Sequence, residues 1–164
     1  MKRFILATVI ALTAAFAVKA QDPKLVANYF KAMGPSSVSF TMSGTGLDGT
    51  VFKTQDGTMD IQYPNIRIEA AGHIICTNGS VIWLYNPATE ELVISDSITN
   101  SLLANSTVTV DNDGKAVLKF NNKNGSNMTF KLKNAAPHSK WPSSHFVLDQ
   151  KSLGDDVIVT DLRK

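Results

Sequence analysis

The stretch GTMDIQYPNIRIEAAGHIICTNGSVIWLYNP, Gly57 to Pro87, decides the fold that the sequence predicts. On both sides of Pro64, apolar and polar residues alternate with the period of two that places them on opposite faces of a β-strand. Pro64 lacks the amide hydrogen that a ladder needs, so it separates two strands. Asn78-Gly79 is a strong hairpin signal. This stretch therefore predicts short, sequential strands joined by tight turns.

The same pattern continues outward from this stretch. Parallel crossovers need a dozen or more residues, so short connections favour an antiparallel sheet. An N-terminal helix is predicted from about Pro23 to Met33, because proline suits an early helical position and Gly34-Pro35 ends the pattern. The predicted strands are 37–43, 49–54, 57–63, 65–70, 73–77, 81–85, 91–95, 107–110, 115–120, 127–133, 144–148 and 157–160.

Two connecting segments carry further predictions. The segment Ser97 to Asn105 can form a short helix with its apolar residues on one side, which makes it a candidate lid. Asp111-Asn112-Asp113-Gly114 contains potential calcium ligands, but the other EF-hand ligands and the closing Glu are missing. We therefore interpret that cluster as a hairpin turn.

The N-terminus has the features of a secretory signal peptide. Met1 to Ala20 combines a basic start, a short apolar stretch and the small-residue site Val18-Lys19-Ala20. The apolar stretch is shorter than the ~20 residues that span a bilayer. We therefore expect cleavage after Ala20, a single domain over 21–164 and a periplasmic location.

Composition and motifs argue against several classes of function. Loss of the leader leaves 13 of the 16 basic residues against 14 acidic ones, so no basic surface for nucleic acid is expected. The single cysteine, Cys76, cannot form an internal disulfide, and we interpret it as a small buried residue. The three histidines are not spaced as a metal motif, and no G-x-S-x-G, H-E-x-x-H or phosphate loop is present. We expect no enzymatic activity, no catalytic residues, no metal and no cofactor.

The order of these features resembles the LolA-type periplasmic carriers of outer-membrane lipoproteins. The resemblance rests on the alternating strand, Pro-Asn, the apolar-Arg-apolar-Glu run at 66–69, the Asn-Gly turn, W-x-Y-N-P at 83–87 and the ending Val-Thr-Asp-Leu-Arg at 159–163. It implies an α+β fold, mainly antiparallel β, in which a strongly curved incomplete β-barrel is covered by an N-terminal helix and a short lid helix. It also implies a monomer that carries lipoprotein acyl chains from an inner-membrane release complex to an outer-membrane acceptor.

The resemblance also implies an apolar cavity, for which the chain offers inward-facing candidates. Proteobacterial carriers have an arginine just before the strand-breaking proline, where this chain has Tyr63, so Tyr63 is a possible lid latch and Arg67 is expected to face solvent. Two alternatives stay open: an envelope lipid sensor similar to RseB-type regulators, and a structural β-protein in which the same residues are plain core. The candidates for the cavity and its lid are Leu25, Tyr29, Met59, Ile61, Ile66, Ile68, Ile75, Trp83, Leu92, Ile98 and Leu102.

Overall fold

The computed structural model describes residues 25–45, 49–96, 106–121 and 127–164. Helix α1 spans Leu25–Met33, a 3-10 helix spans Ser143–Phe146, and helix α2 spans Gln150–Leu153. The ten strands are β1 Ser36–Thr45, β2 Val51–Gln62, β3 Asn65–Ala70, β4 His73–Thr77, β5 Val81–Asn86, β6 Glu91–Asp96, β7 Ser106–Val110, β8 Ala116–Asn121, β9 Asn127–Pro137 and β10 Ile158–Asp161.

All ten strands form one open sheet in the order β10-β6-β5-β4-β3-β2-β1-β9-β8-β7. Neighbouring strands are antiparallel except β10, which pairs parallel with β6. Strand β1 lies between β2 and β9, so it joins the N-terminal and C-terminal halves of the sheet. Among the described residues, β10 and β7 are the edge strands of the sheet.

The predicted α+β class is wrong, because the protein is mostly β. In the described residues the two α-helices have only nine and four residues, against ten strands. Two predicted strands merge into the twelve-residue β2, and β9 continues to Pro137. The merger depends on Gly57, where a Cβ atom would lie 2.5 Å from Cζ of Phe40, so the missing side chain lets the strand pass that ring. The predicted lid helix at 97–105 lies outside the described residues.

Several local predictions are confirmed and one is wrong. Asn78-Gly79 joins the antiparallel pair β4 and β5, and the turn at 111–114 joins β7 to β8. Helix α1 ends at Met33, as predicted. The segment predicted as a strand at 144–148 begins instead as a 3-10 helix, with Pro142 at its N-cap and Phe146 fully buried.

The two faces of the sheet carry separate hydrophobic clusters. The first face, here called the helix face, packs α1 through Val26 and Phe30 against residues such as Met59 and Leu118. The second face, here called the C-terminal face, packs Leu148, Val157 and other residues of the segment 141–157 against β4, β5 and β6. The protein therefore has two cores, one on each side of a single sheet.

Chain connectivity requires this sheet to curl. Strands β6 and β7 are eight positions apart in the sheet order, a separation of about 38 Å in a flat sheet with strands ~4.8 Å apart. Only nine residues join Asp96 to Ser106, and a fully extended chain of that length reaches at most about 36 Å. Strands β6 and β7, near opposite ends of the sheet, must therefore approach each other. Helix α1 contacts both β2 and β7, so it lies on the concave face of the curled sheet.

Candidate functional site

A continuous row of apolar side chains crosses the helix face. Directly opposed residues in neighbouring strands share a face, so the strand register defines the row. Met59 lies opposite Val38 and Ile68, Ile68 lies opposite Ile75, and Ile75 lies opposite Leu84. Leu84 in turn lies opposite Val93. We call these six residues the apolar row: Val38, Met59, Ile68, Ile75, Leu84 and Val93.

Exposure increases along the apolar row from Val38 to Leu84. Val38 and Met59 are 1% and 2% exposed beneath α1, Ile68 and Ile75 are half-buried, and Leu84 is 38% exposed. Burial of a large aliphatic side chain stabilises a protein. Ile68, Ile75, Leu84 and Val93 are only partly buried. They therefore form an apolar surface that the described residues do not fully cover.

From β2 to β5, the rest of this surface is uncharged. A second row runs beside the first, through Ile61, Ile66, Thr77 and Ile82. Between residues 57 and 85, all of which the structure describes, no Asp, Glu, Lys or Arg lies on the helix face. The C-terminal face over the same strands carries Asp60, Arg67 and Glu69. The two sides of β2 to β5 therefore differ sharply in polarity.

The structure divides the predicted cavity residues between the two faces. Met59, Ile61, Ile66, Ile68 and Ile75 lie together on the helix face. Tyr29 is buried in the same cluster, on α1, and Leu25 begins that helix in a half-buried position.

The other predicted residues lie elsewhere. Trp83 and Leu92 belong to the cluster on the C-terminal face. Ile98 and Leu102 fall outside the described residues. Sequence reasoning missed Ile82, Leu84 and Val93, which take the places on the helix face that it had given to Trp83 and Leu92.

Tyr63 connects the sheet to helix α1. Its half-buried ring packs against the first cluster, and Nζ of Lys31 lies 5.1 Å from the ring centroid. A cation over an aromatic ring at this distance contributes about 0.5–1 kcal/mol at an exposed site. In the described residues, Tyr63 therefore holds the C-terminal end of α1. The expected contact with the segment 97–105 lies outside the described residues.

The C-terminal segment is fixed to the opposite face by directed polar contacts. Asp60 binds two groups, since Oδ2 lies 2.8 Å from Nε2 of His145 and Oδ1 accepts a hydrogen bond of 2.5 Å from Ser37. The backbone N–H of Trp141 donates to Gln62 Oε1 at 2.9 Å, and the Gln62 amide donates back to the Trp141 carbonyl at 3.4 Å. These contacts position 141–146 across β1, β2 and β3.

Arg67 belongs to this attachment, so its predicted solvent-facing position is wrong. Its side chain is 21% exposed, forms an ion pair with Glu69 at 2.7 Å and donates to the carbonyl of His145 at 3.5 Å. It also approaches Sγ of Cys76 at 3.9 Å. Burial raises the pKa of the Cys76 thiol to about 11, although the positive charge of Arg67 acts in the opposite direction. Cys76 is therefore a protonated residue of the second core.

A polar cleft of about 520 Å³ lies beside this attachment on the C-terminal face. It is lined by Ser39, Phe40, Asp56, Gly57, Thr58, Glu69 and Lys133. Lys133 and Asp56 form an ion pair across it. In the part of the chain that the structure describes, no three His, Cys, Asp or Glu side chains are placed to hold a metal ion. No helix among the described residues is long and apolar enough to cross a membrane.

Comparisons with known proteins do not assign the chain to a family. No protein-family model matches it, and no curated protein matches it. Among solved structures, it is similar to the crystal structure of an uncharacterized conserved protein from Thermus thermophilus. The two share 10% identity over 83% of this chain and 99% of that one, with a TM-score of 0.46, a likeness too distant to bear on function.

Proposed function

We propose that this protein binds acyl chains along the apolar row and carries lipoproteins through the periplasm toward the outer membrane. The observation that supports acyl binding is the register of the row, which places half-buried Ile68, Ile75 and Val93 and exposed Leu84 side by side on a face that carries no charge from β2 to β5. An acyl chain needs a surface of this kind because it forms no directed hydrogen bonds. The transport role rests on the sequence resemblance, as do the release complex and the acceptor.

The dimensions of the row suit an acyl chain. From Ile68 on β3 to Val93 on β6, the part of the row that is not buried crosses three strand spacings, about 14 Å at ~4.8 Å each. An extended segment of about twelve carbons, with C–C bonds of ~1.5 Å, has a similar length. Each methylene that leaves water contributes about 0.8 kcal/mol, so partial coverage of one chain already provides several kcal/mol.

The chemistry of the two faces favours binding over catalysis. The polar residues that the structure brings together, Asp60, His145 and Arg67, attach the C-terminal segment to the sheet. The Ser37 hydroxyl donates to Oδ1 of Asp60, and His145 contacts Oδ2 of the same carboxylate. Both oxygens therefore have partners within the protein. We therefore assign this cluster to folding and the apolar row to the ligand.

A fluorescent fatty-acid probe tests this proposal. Leu84→Glu places a charge at the centre of the exposed part of the row and should weaken probe binding at least tenfold. Thr109→Glu is the control, because Thr109 is also exposed but lies on the C-terminal face of β7, away from the apolar row. Equal binding by both folded variants, or no binding by the wild-type protein, would contradict the proposal.

A further inference from the structure

The exposed apolar surface continues from the apolar row to the edge strand β10. Val93 lies opposite Thr160 in the parallel pair of β6 and β10, so Thr160 is on the helix face. Alternation places Ile158 and Leu162 on that face as well, where they are 60% and 59% exposed. Neither Ile158 nor Leu162 belongs to either of the two hydrophobic clusters. Exposed apolar side chains therefore reach the edge of the sheet on both sides of Thr160, with Glu91 opposite Ile158 as the charged residue of this face.

The edge itself offers backbone groups for pairing. The N–H groups of Ile158 and Leu162 donate to carbonyls of Glu90 and Ile94, both at 2.8 Å, so alternate residues of β10 point toward β6. Val159 and Asp161 consequently point their N–H and C=O groups outward. Such an edge is a template for an added strand, and main-chain pairing of this kind is a common mode of peptide recognition.

We infer that β10 pairs with the extended peptide that is joined to the acyl chains of the bound lipoprotein. This inference rests on the proposed function. The ligand's acyl chains lie along the apolar row, and its peptide leaves that surface at the nearest edge, where Val159 and Asp161 bind its backbone. The side chains of Ile158 and Leu162 flank the peptide on the helix face.

A second copy of the chain is a poorer occupant of this edge. Strand β10 has four residues and is only about 13 Å long. A stable interface usually needs roughly 20–30 residues on each side. Pairing of two such edges therefore buries too little surface, whereas a lipopeptide adds the apolar row to the contact. Main-chain pairing also does not depend on particular side chains of the peptide. A carrier that uses it can therefore accept peptides of different sequence.

The experiment compares two ligands and two variants. The ligands are a synthetic lipopeptide, with two palmitoyl chains on an N-terminal cysteine followed by six residues, and the same lipopeptide N-methylated at every peptide amide. Val159→Pro removes an outward N–H without removing a bond to β6, and Val159→Ala is its matched control. Palmitate, which has no peptide, reports on the apolar row alone.

We expect wild-type protein to bind the unmethylated lipopeptide about tenfold more tightly than the methylated one, the effect of one or two main-chain hydrogen bonds. Val159→Pro should remove this difference, Val159→Ala should keep it, and palmitate should bind to all three proteins equally. The wild-type comparison between ligands needs no variant, so it stands even if Val159→Pro fails to fold.

Equal affinity of wild-type protein for the two lipopeptides, with palmitate bound, would overturn edge pairing and leave the proposed function standing. Failure of wild-type protein to bind palmitate and both lipopeptides would overturn the proposed function and edge pairing together. A wild-type dimer that Val159→Pro converts to a monomer would show that a second copy occupies the edge, and would also overturn the inference.

Discussion

Ile75 lies directly opposite Leu84 across the hairpin of β4 and β5, on the side of the sheet away from Cys76 and Trp83. This relationship separates a core from a surface. Cys76 and Trp83 are buried under the C-terminal segment, whereas Ile75 is half-buried and Leu84 is exposed on the helix face. Residues that are adjacent in sequence therefore have different roles.

Trp83 and Leu84 should differ strongly in their effect on stability. Trp83→Ala removes a large side chain that is 7% exposed, and we predict a loss of about 3–5 kcal/mol in the free energy of unfolding. Leu84→Ala should change that free energy by at most about 0.5 kcal/mol. Urea denaturation followed by circular dichroism measures both. A greater loss for Leu84→Ala than for Trp83→Ala would contradict the assignment of the two faces.

Cys76 should be inert in the folded protein. Its thiol is fully buried, so a reagent cannot reach it. Burial also raises its pKa to about 11, so very little reactive thiolate is present at pH 8. We predict that 5,5′-dithiobis(2-nitrobenzoate) labels Cys76 in urea but leaves it unlabelled for hours in buffer. Rapid labelling of the folded protein would show that the C-terminal segment does not close this face.

The pair of Asp60 and His145 should anchor the C-terminal segment. Asp60→Ala removes the acceptor of both Ser37 and His145, and we predict a loss of about 1–3 kcal/mol in the free energy of unfolding. A double-mutant cycle with His145→Ala measures the part that belongs to the pair. Asp155→Ala, at an exposed turn, is the control. Additive effects of Asp60→Ala and His145→Ala would mean that the contact between the two side chains contributes nothing to the free energy of unfolding.

The turn between β7 and β8 should make stability depend on acid pH. Asp111 accepts a hydrogen bond from Lys131, with Oδ2 at 2.6 Å from Nζ, and this contact holds the pKa of the Asp111 carboxyl below its usual value. A carboxyl with a lowered pKa in the folded state stabilises the protein fully above its unfolded pKa, near 3.9. That contribution is lost as the pH falls through the lower, folded value.

Asp111→Asn should therefore reduce the midpoint of urea unfolding at pH 6, and the difference from wild type should shrink as the pH falls below about 4. Asp113→Asn is the control, because Asp113 is more exposed and lies 3.8 Å from Lys131. A difference for Asp111→Asn that stays constant from pH 6 to pH 3 would show that the ion pair is not its cause.

The local pattern of the sequence predicted most strands but not the class of the fold. Alternation and the Asn78-Gly79 turn placed β3, β4 and β5 within a residue or two. The merger of two predicted strands into β2 depends on the packing of Phe40 over Gly57, a contact between strands that no local pattern contains. The parallel pairing of β10 with β6 likewise depends on the path of the chain after α2.

The candidate site could have been predicted better than it was. In a hairpin, the turn fixes which residues share a face, and a two-residue turn at Asn78-Gly79 places Ile75 opposite even-numbered Ile82. That turn places Trp83 on the opposite face from Ile75, which is where the structure has it. The contact of Asp60 with His145, 85 positions away in the sequence, carries no comparable signal.

The most direct test of acyl binding is native mass spectrometry of residues 21–164 produced in the periplasm of a bacterial host, combined with lipid extraction. We predict a wild-type mass that exceeds that of the chain by a lipoprotein or acyl lipid, retention of this ligand by Thr109→Glu, and its loss from folded Leu84→Glu. A folded wild-type protein with no added mass, or a ligand that Leu84→Glu retains in full, would contradict binding along the apolar row.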